Sequence, residues 1–161
     1  MLKVAIPASG AFMRTTKPHG ELAPSGFQGL LQIYRYTRAC GLETGLLHLV
    51  ELRASQLNGC AYCMDMHATE ALAEGESPRR LNVVAGWREA PFFTGRERAA
   101  LAWTEALTEL NRHQVSDALY QATLAHFTEQ ELVDLTYAIT LINAWNRLGV
   151  AFQPDLPEGL S

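Results

Sequence analysis

The chain has 161 residues, 48% of them hydrophobic and 19% charged, which is one domain with a sizeable core and too apolar for a disordered protein. Lys+Arg number 13 against 17 Asp+Glu, a net charge of −4; nucleic-acid binders normally present a basic face, so that class is disfavoured. No apolar run approaches the roughly 20 residues of a membrane-crossing helix, and Pro7 interrupts the start MLKVAIPASGAF, so this segment reads as mature chain and the expected setting is the cytoplasm.

Residues 1–24, with Pro7, Gly10, Pro18, Gly20 and Pro24 and no sustained period, are expected to form an irregular arm. Ser25 is placed to cap a first helix through Phe27, Leu30, Leu31, Tyr34 and Arg38, with Gly41 closing it. A second helix is expected from about Glu43 to Asn58, where Leu46, Leu49, Val50, Ala54 and Leu57 form an apolar stripe. After Asn58-Gly59 a third starts near Cys60 and ends around Gly75; Ser77-Pro78 opens a short fourth. Thr94 with Glu97 forms a capping box for a helix through Leu101, Trp103 and Leu107. Ser116 or Asp117 opens another, to about Phe127. Thr128 with Glu131 is a second capping box, launching a long helix to about Arg147, and Gln153–Ser161 reads as a tail. No strand pattern has comparable quality, so the fold class is all-α, with domain boundaries of 1–24, 25–150 and 151–161.

The chemistry concentrates around Cys60 and Cys63. Three residues apart, they share one face of a helix at its first turn, where unpaired N–H groups and the helix dipole favour a thiolate. His67 follows Cys63 by one turn and can take its proton. On the preceding helix His48, Glu51 (or Leu52) and Ser55 share a face. If the two helices fold as a hairpin about Asn58-Gly59, that face meets Cys63 and His67, and a carboxylate or imidazole beside His67 fixes its tautomer. Cys60, Cys63, His67 and His48 or Glu51 are also ligand types that zinc accepts, but the ordinary spacing needs a second close pair, which the sequence lacks. Haem attachment needs His directly after the second Cys; Met64 stands there.

The run SQLNGCAYCMDMH resembles the signature of the AhpD-like alkylhydroperoxidases within the carboxymuconolactone decarboxylase superfamily. RASQ ahead of it, ERAALAWTEALT at 97–108 and INAWNRLG at 142–149 extend the resemblance over about residues 25 to 150. It implies an AhpD-like helical domain, assembled as a homotrimer or homohexamer, with the CxxC opening a helix after a helical hairpin. By position it implies Cys63 as the peroxidatic thiol, Cys60 as the resolving thiol and His67 in the proton relay. Hydroperoxide is the implied substrate; no bound cofactor is expected, only an external dithiol, such as a lipoyl-bearing protein, as reductant. Two departures stand out. The founding enzymes carry Glu twelve residues before the first Cys, where this chain has His48, and Glu51 one turn later is the candidate substitute. They carry His before the second Cys, where this chain has Tyr62.

Two other readings compete: a disulfide reductase or redox sensor without peroxide turnover, and a non-enzymatic metal-binding or scaffold oligomer. Tyr62 reads as a pocket wall, and Cys40 as a small buried hydrophobe. Trp87, Trp103 and Trp145 read as core or subunit contacts, and Asn143, Asn146 and Arg147 as ties between helices. His19, His113 and His126 carry no functional claim.

Overall fold

The computed structural model describes residues 13–112 and 114–156, so His113, the first half of the expected arm and the last five residues of the tail lie outside the described residues. Every regular element among the described residues is helical: α1 (His19–Leu22), α2 (Pro24–Ala39), α3 (Thr44–Asn58), α4 (Ala61–Ala73), α5 (Pro78–Asn82), α6 (Gly95–Thr108), α7 (Asp117–Leu124) and α8 (Glu129–Phe152), with a single 3-10 turn at Val84–Gly86. Among the described residues no helix is long and apolar enough to cross a membrane.

The architecture follows from α3. Leu46 through Leu52, with Ala54 and Ser55, are all buried, so this helix is covered around its whole circumference. It packs against α4, α6 and α8. Leu47 and Val50 join Ala100, Trp103, Leu135 and Ile139 in one core. Leu49 and Leu52 join Ala71, Leu81, Val84, Trp87 and Leu101 in a second. Ala54 meets Cys60, Cys63 and Ile142 in a third, smaller one. A helix so placed carries its few polar side chains into the interior, where they require partners.

Both capping boxes form as the sequence predicts, Thr94 with Glu97 and Thr128 with Glu131. The α3–α4 turn is also the one expected. Gly59 adopts φ 67°, Cys60 N–H donates to Ser55 O at 3.0 Å and Gly59 N–H to Gln56 O at 3.3 Å; these are the paired bonds of a Schellman ending. That turn sets Cys60 at the N-cap of α4.

Several expectations are corrected. Ser25 does not cap α2: the helix starts at Pro24, whose fixed φ suits the first helical position, with Ala23 as N-cap and no side-chain bond. The expected irregular lead-in holds one helical turn, α1, closed by Ala23 N–H on His19 O. Helix α7 stops at Leu124. Helix α8 continues past Arg147 to Phe152, since no residue after Arg147 breaks the pattern before Pro154, and Gln153 closes it in the left-handed region.

Candidate active site

Cys60 and Cys63 are joined in a disulfide, with their Cα atoms 5.3 Å apart. Both are buried. The Cys60 sulfur also accepts the Cys63 backbone N–H at 3.3 Å, so it occupies the place where an N-cap oxygen ordinarily sits. Helix α8 crosses directly over the pair. A Cβ added at Gly149 would lie 2.7 Å from Cys60 Sγ and 3.3 Å from Cys63 Sγ. Only a residue without a side chain lets α8 approach the two sulfurs this closely.

Beside the cysteines lies a buried polar cluster. Glu51 of α3 and His67 of α4 meet, Oε2 to Nδ1, at 3.3 Å. Arg38, at the end of α2, clamps Glu51 from the other side: its Nη2 donates to both carboxylate oxygens, at 2.8 and 2.7 Å. Burial works against the Arg38 charge, but Glu51 outweighs it and lifts the Arg38 pKa above its ordinary value. The Arg38 clamp fixes the Glu51 carboxyl beside His67 Nδ1, which favours the His67 tautomer with the proton on Nδ1 and the lone pair on Nε2. His48 Nδ1 lies 3.8 Å from Glu51 Oε2, and its Nε2 lies 3.3 Å from Glu74 Oε2. His67 Nδ1 also lies 3.5 Å from Glu70 Oε2. The Glu70 carboxyl sits below its ordinary pKa, first through its polar contact with His67, with burial opposing the shift.

Cys63, His67 and Glu70 open on a cavity of about 570 Å³. Its remaining wall is largely apolar and aromatic: Phe27, Leu31, Tyr34, Tyr62, Trp145 and Phe152. Phe27 and Trp145 meet edge to face, with centroids 5.4 Å apart. Cys60 faces a separate, smaller cleft of about 260 Å³, and Tyr62, Gly149 and Pro154 border both spaces. The dithiol therefore stands in the partition between two openings.

All five site residues singled out in the sequence, Cys60, Cys63, His67, Glu51 and His48, belong to this one region. The conditional hairpin about Asn58-Gly59 forms, and it is Glu51 rather than His48 that comes within 3.3 Å of His67. Ser55 faces elsewhere: its hydroxyl donates to Glu51 O at 2.7 Å and accepts from Asn146 Nδ2 at 3.0 Å. Asn143 and Asn146 both accept from Asn58 Nδ2, at 3.0 and 2.9 Å, which ties the end of α3 to α8. Cys40 is half-buried, and its thiol donates to Thr37 O at 3.1 Å.

Sequence reasoning missed the part that five residues play here. By spacing Arg38 falls near the end of the first expected helix, and nothing in its local pattern marks it as the partner of a residue one helix away. Gly149 lies in a run that looks like ordinary helix. Glu70 and Glu74, three and seven residues after His67, did carry a signal, because that spacing repeats the His67 face. Trp145 packs against the core cluster around Cys60 and Cys63, as a core contact should, and also forms part of the cavity wall, which its sequence position does not reveal.

Similarity to known proteins agrees with this picture. The model of the carboxymuconolactone decarboxylase family matches residues 24–106. YdfG, an uncharacterized protein of Bacillus subtilis, is 36% identical over 131 residues, 81% of this chain and 89% of the relative. YnjA, an uncharacterized protein of Escherichia coli, is 36% identical over 120 residues, and the match spans 74% of this chain but only 64% of the length of YnjA. The crystal structure of an Agrobacterium tumefaciens protein of unknown function, provisionally assigned as the antioxidant defence protein AhpD, superposes with a TM-score of 0.86 at 37% identity, over 91% of this chain and 99% of that one. Together with the all-helical fold and the CxxC disulfide at the head of α4, these matches show that the chain belongs to the carboxymuconolactone decarboxylase family as an AhpD-like member.

Proposed function

We propose that the protein is a dithiol peroxidase that reduces organic hydroperoxides. The observation that carries this reading is the alignment of Arg38, Glu51 and His67 behind the cavity wall that contains Cys63. That is a base with its orienter, beside a thiol that can cycle with a second thiol. In the reduced state His67 Nε2 takes the Cys63 proton and Glu51 steadies the imidazolium. The thiolate attacks the distal peroxide oxygen, the O–O bond breaks, and the departing alkoxide takes the proton from His67 and leaves as alcohol. Cys63 is then a sulfenic acid. Cys60 condenses with it, forming the disulfide and releasing water. The net change is dithiol plus hydroperoxide to disulfide, alcohol and water. An external dithiol, such as a lipoyl group on a partner protein, restores both thiols by disulfide exchange, a cycle suited to a reducing compartment such as the cytoplasm.

The chain is further proposed to assemble as a homotrimer or homohexamer. Val133 and Tyr137 are half-exposed on α8 and border an apolar groove of about 430 Å³ with Trp103 and Tyr120. Contact between copies of the chain would cover these half-exposed apolar side chains.

Thiol titration tests the reaction. On adding an alkyl hydroperoxide to reduced protein, two thiols per chain should disappear, and a dithiol should restore them. Cys63→Ser should abolish peroxide consumption. Cys60→Ser should complete one turnover and leave a sulfenic acid that dimedone traps. Full turnover in Cys63→Ser rejects the assigned roles. Exchange with disulfides but not with peroxide would leave the reductase or sensor reading in its place.

A further inference from the structure

His48 and His67 are both buried, and none of their four ring nitrogens has a hydrogen-bond partner. Two buried imidazoles in that condition are costly in a folded protein unless something else engages them. Carboxylate oxygens surround them at 3.3 to 3.8 Å: Glu51 and Glu74 by His48, Glu51 and Glu70 by His67. Arg38 is the cation paired directly with this group, through Glu51. Three carboxylates against one guanidinium leave two negative charges, which one divalent cation balances. One ligand atom each from His48, His67 and Glu70 lies within 4.8 Å of the others. A tetrahedral ion with bonds of about 2.1 Å needs donors roughly 3.4 Å apart. Glu70 Oε2 already lies at that spacing, 3.5 Å from His67 Nδ1, and its side chain is 41% exposed. The cavity lined by His67 and Glu70 gives an ion a way in.

We propose that His48, His67 and Glu70 form a binding site for a divalent transition-metal ion of the zinc or iron(II) class, with Glu51 and Glu74 close enough to complete the shell. Two imidazoles and a carboxylate suit such ions better than magnesium or calcium, which prefer oxygen alone. The cysteines take no part, which separates this site from a thiolate zinc centre. An ion held there binds His67 Nδ1, the nitrogen that faces Glu51 and Glu70, and moves the ring proton to Nε2, so metal binding and the proton role of His67 exclude each other.

The test uses Cys40→Ser protein in its disulfide form, so that no free thiol can bind metal and no peroxide is involved; its result is independent of the peroxidase reading. After dialysis against Zn2+ and gel filtration, one ion per chain should be retained. Co2+ in its place should give visible absorption without a sulfur-to-cobalt charge-transfer band. His48→Gln and Glu70→Gln should each weaken Zn2+ binding by roughly 10-fold to 100-fold, and Glu89→Gln on the exposed surface should not. Glu70 is partly exposed, so its variant keeps the test decisive should His48→Gln misfold. No retained zinc, unchanged affinity in Glu70→Gln, a sulfur-to-cobalt band, or displacement of Zn2+ by equimolar Mg2+ overturns the proposal.

Discussion

Gly149 shows how a single missing side chain shapes this site. In an ordinary exposed helix position, glycine to alanine gains about 1 kcal/mol. Here the new Cβ would be driven to 2.7 Å from the Cys60 sulfur, so the sign reverses. Gly149→Ala is expected to destabilise the disulfide form by about 1–3 kcal/mol, the usual range for overpacking, and to slow disulfide formation after peroxide. Denaturation of the oxidised and reduced forms checks this; a variant as stable as the parent in both would show that α8 gives way easily. Glu51 is the second decisive residue. Glu51→Gln removes the charge that orients His67 and leaves Arg38 unpaired, so peroxide consumption should fall by about 100-fold, within the range for general acid–base groups. Single-turnover kinetics with the variant measure that loss, and retention of the parental rate would remove Glu51 from the relay.

At the scale of elements, the helices are locked by a few buried ionic hubs. Glu105 of α6 is one of them. It accepts Arg53 Nε at 2.7 Å and Trp87 Nε1 at 3.0 Å, and pairs with Arg88 Nη1 at 2.6 Å, so it binds α3 and the segment after the 3-10 turn to α6. Burial raises the Glu105 pKa, but hydrogen bonds from Trp87, Arg88 and Arg53 outweigh it, and the net shift is downward from 4.5. A carboxyl with its pKa lowered by folding stabilises the native state above the unfolded-state value, near 4.5, and that contribution is lost as pH falls through the folded-state value. Glu105→Gln should therefore be less stable by about 2 kcal/mol at pH 7 and lose less stability than the parent as pH falls below 4.5. Urea midpoints across that range test it; parallel pH curves would mean Glu105 does not carry the effect.

For the whole molecule, the buried centre and the outer surface make separate demands. Helix α3 is covered on every side within one chain, whereas α8 leaves Val133 and Tyr137 about half exposed, at 50% and 49%. The proposed assembly covers that face of α8. Light scattering should give three or six times the chain mass, and Val133→Glu should reduce it while the helical circular dichroism persists. A parent protein that is monomeric at every concentration tested rejects the assembly.

The sequence by itself determined the helical class, both capping boxes, the glycine turn before Cys60 and the dithiol at a helix start. These rest on interactions within a few residues, which a local pattern records directly. Even the Glu51–His67 pairing was legible once a tight hairpin was assumed, because a two-helix turn fixes which faces meet. The Arg38 clamp, the Gly149 crossing, the joining of His48 to Glu70 and Glu74, and the aromatic wall from Phe27 and Trp145 were decided only by tertiary packing. Each brings together residues from different helices, or from different turns of two helices, and their contact depends on crossing angles set by the whole core, which no local spacing encodes.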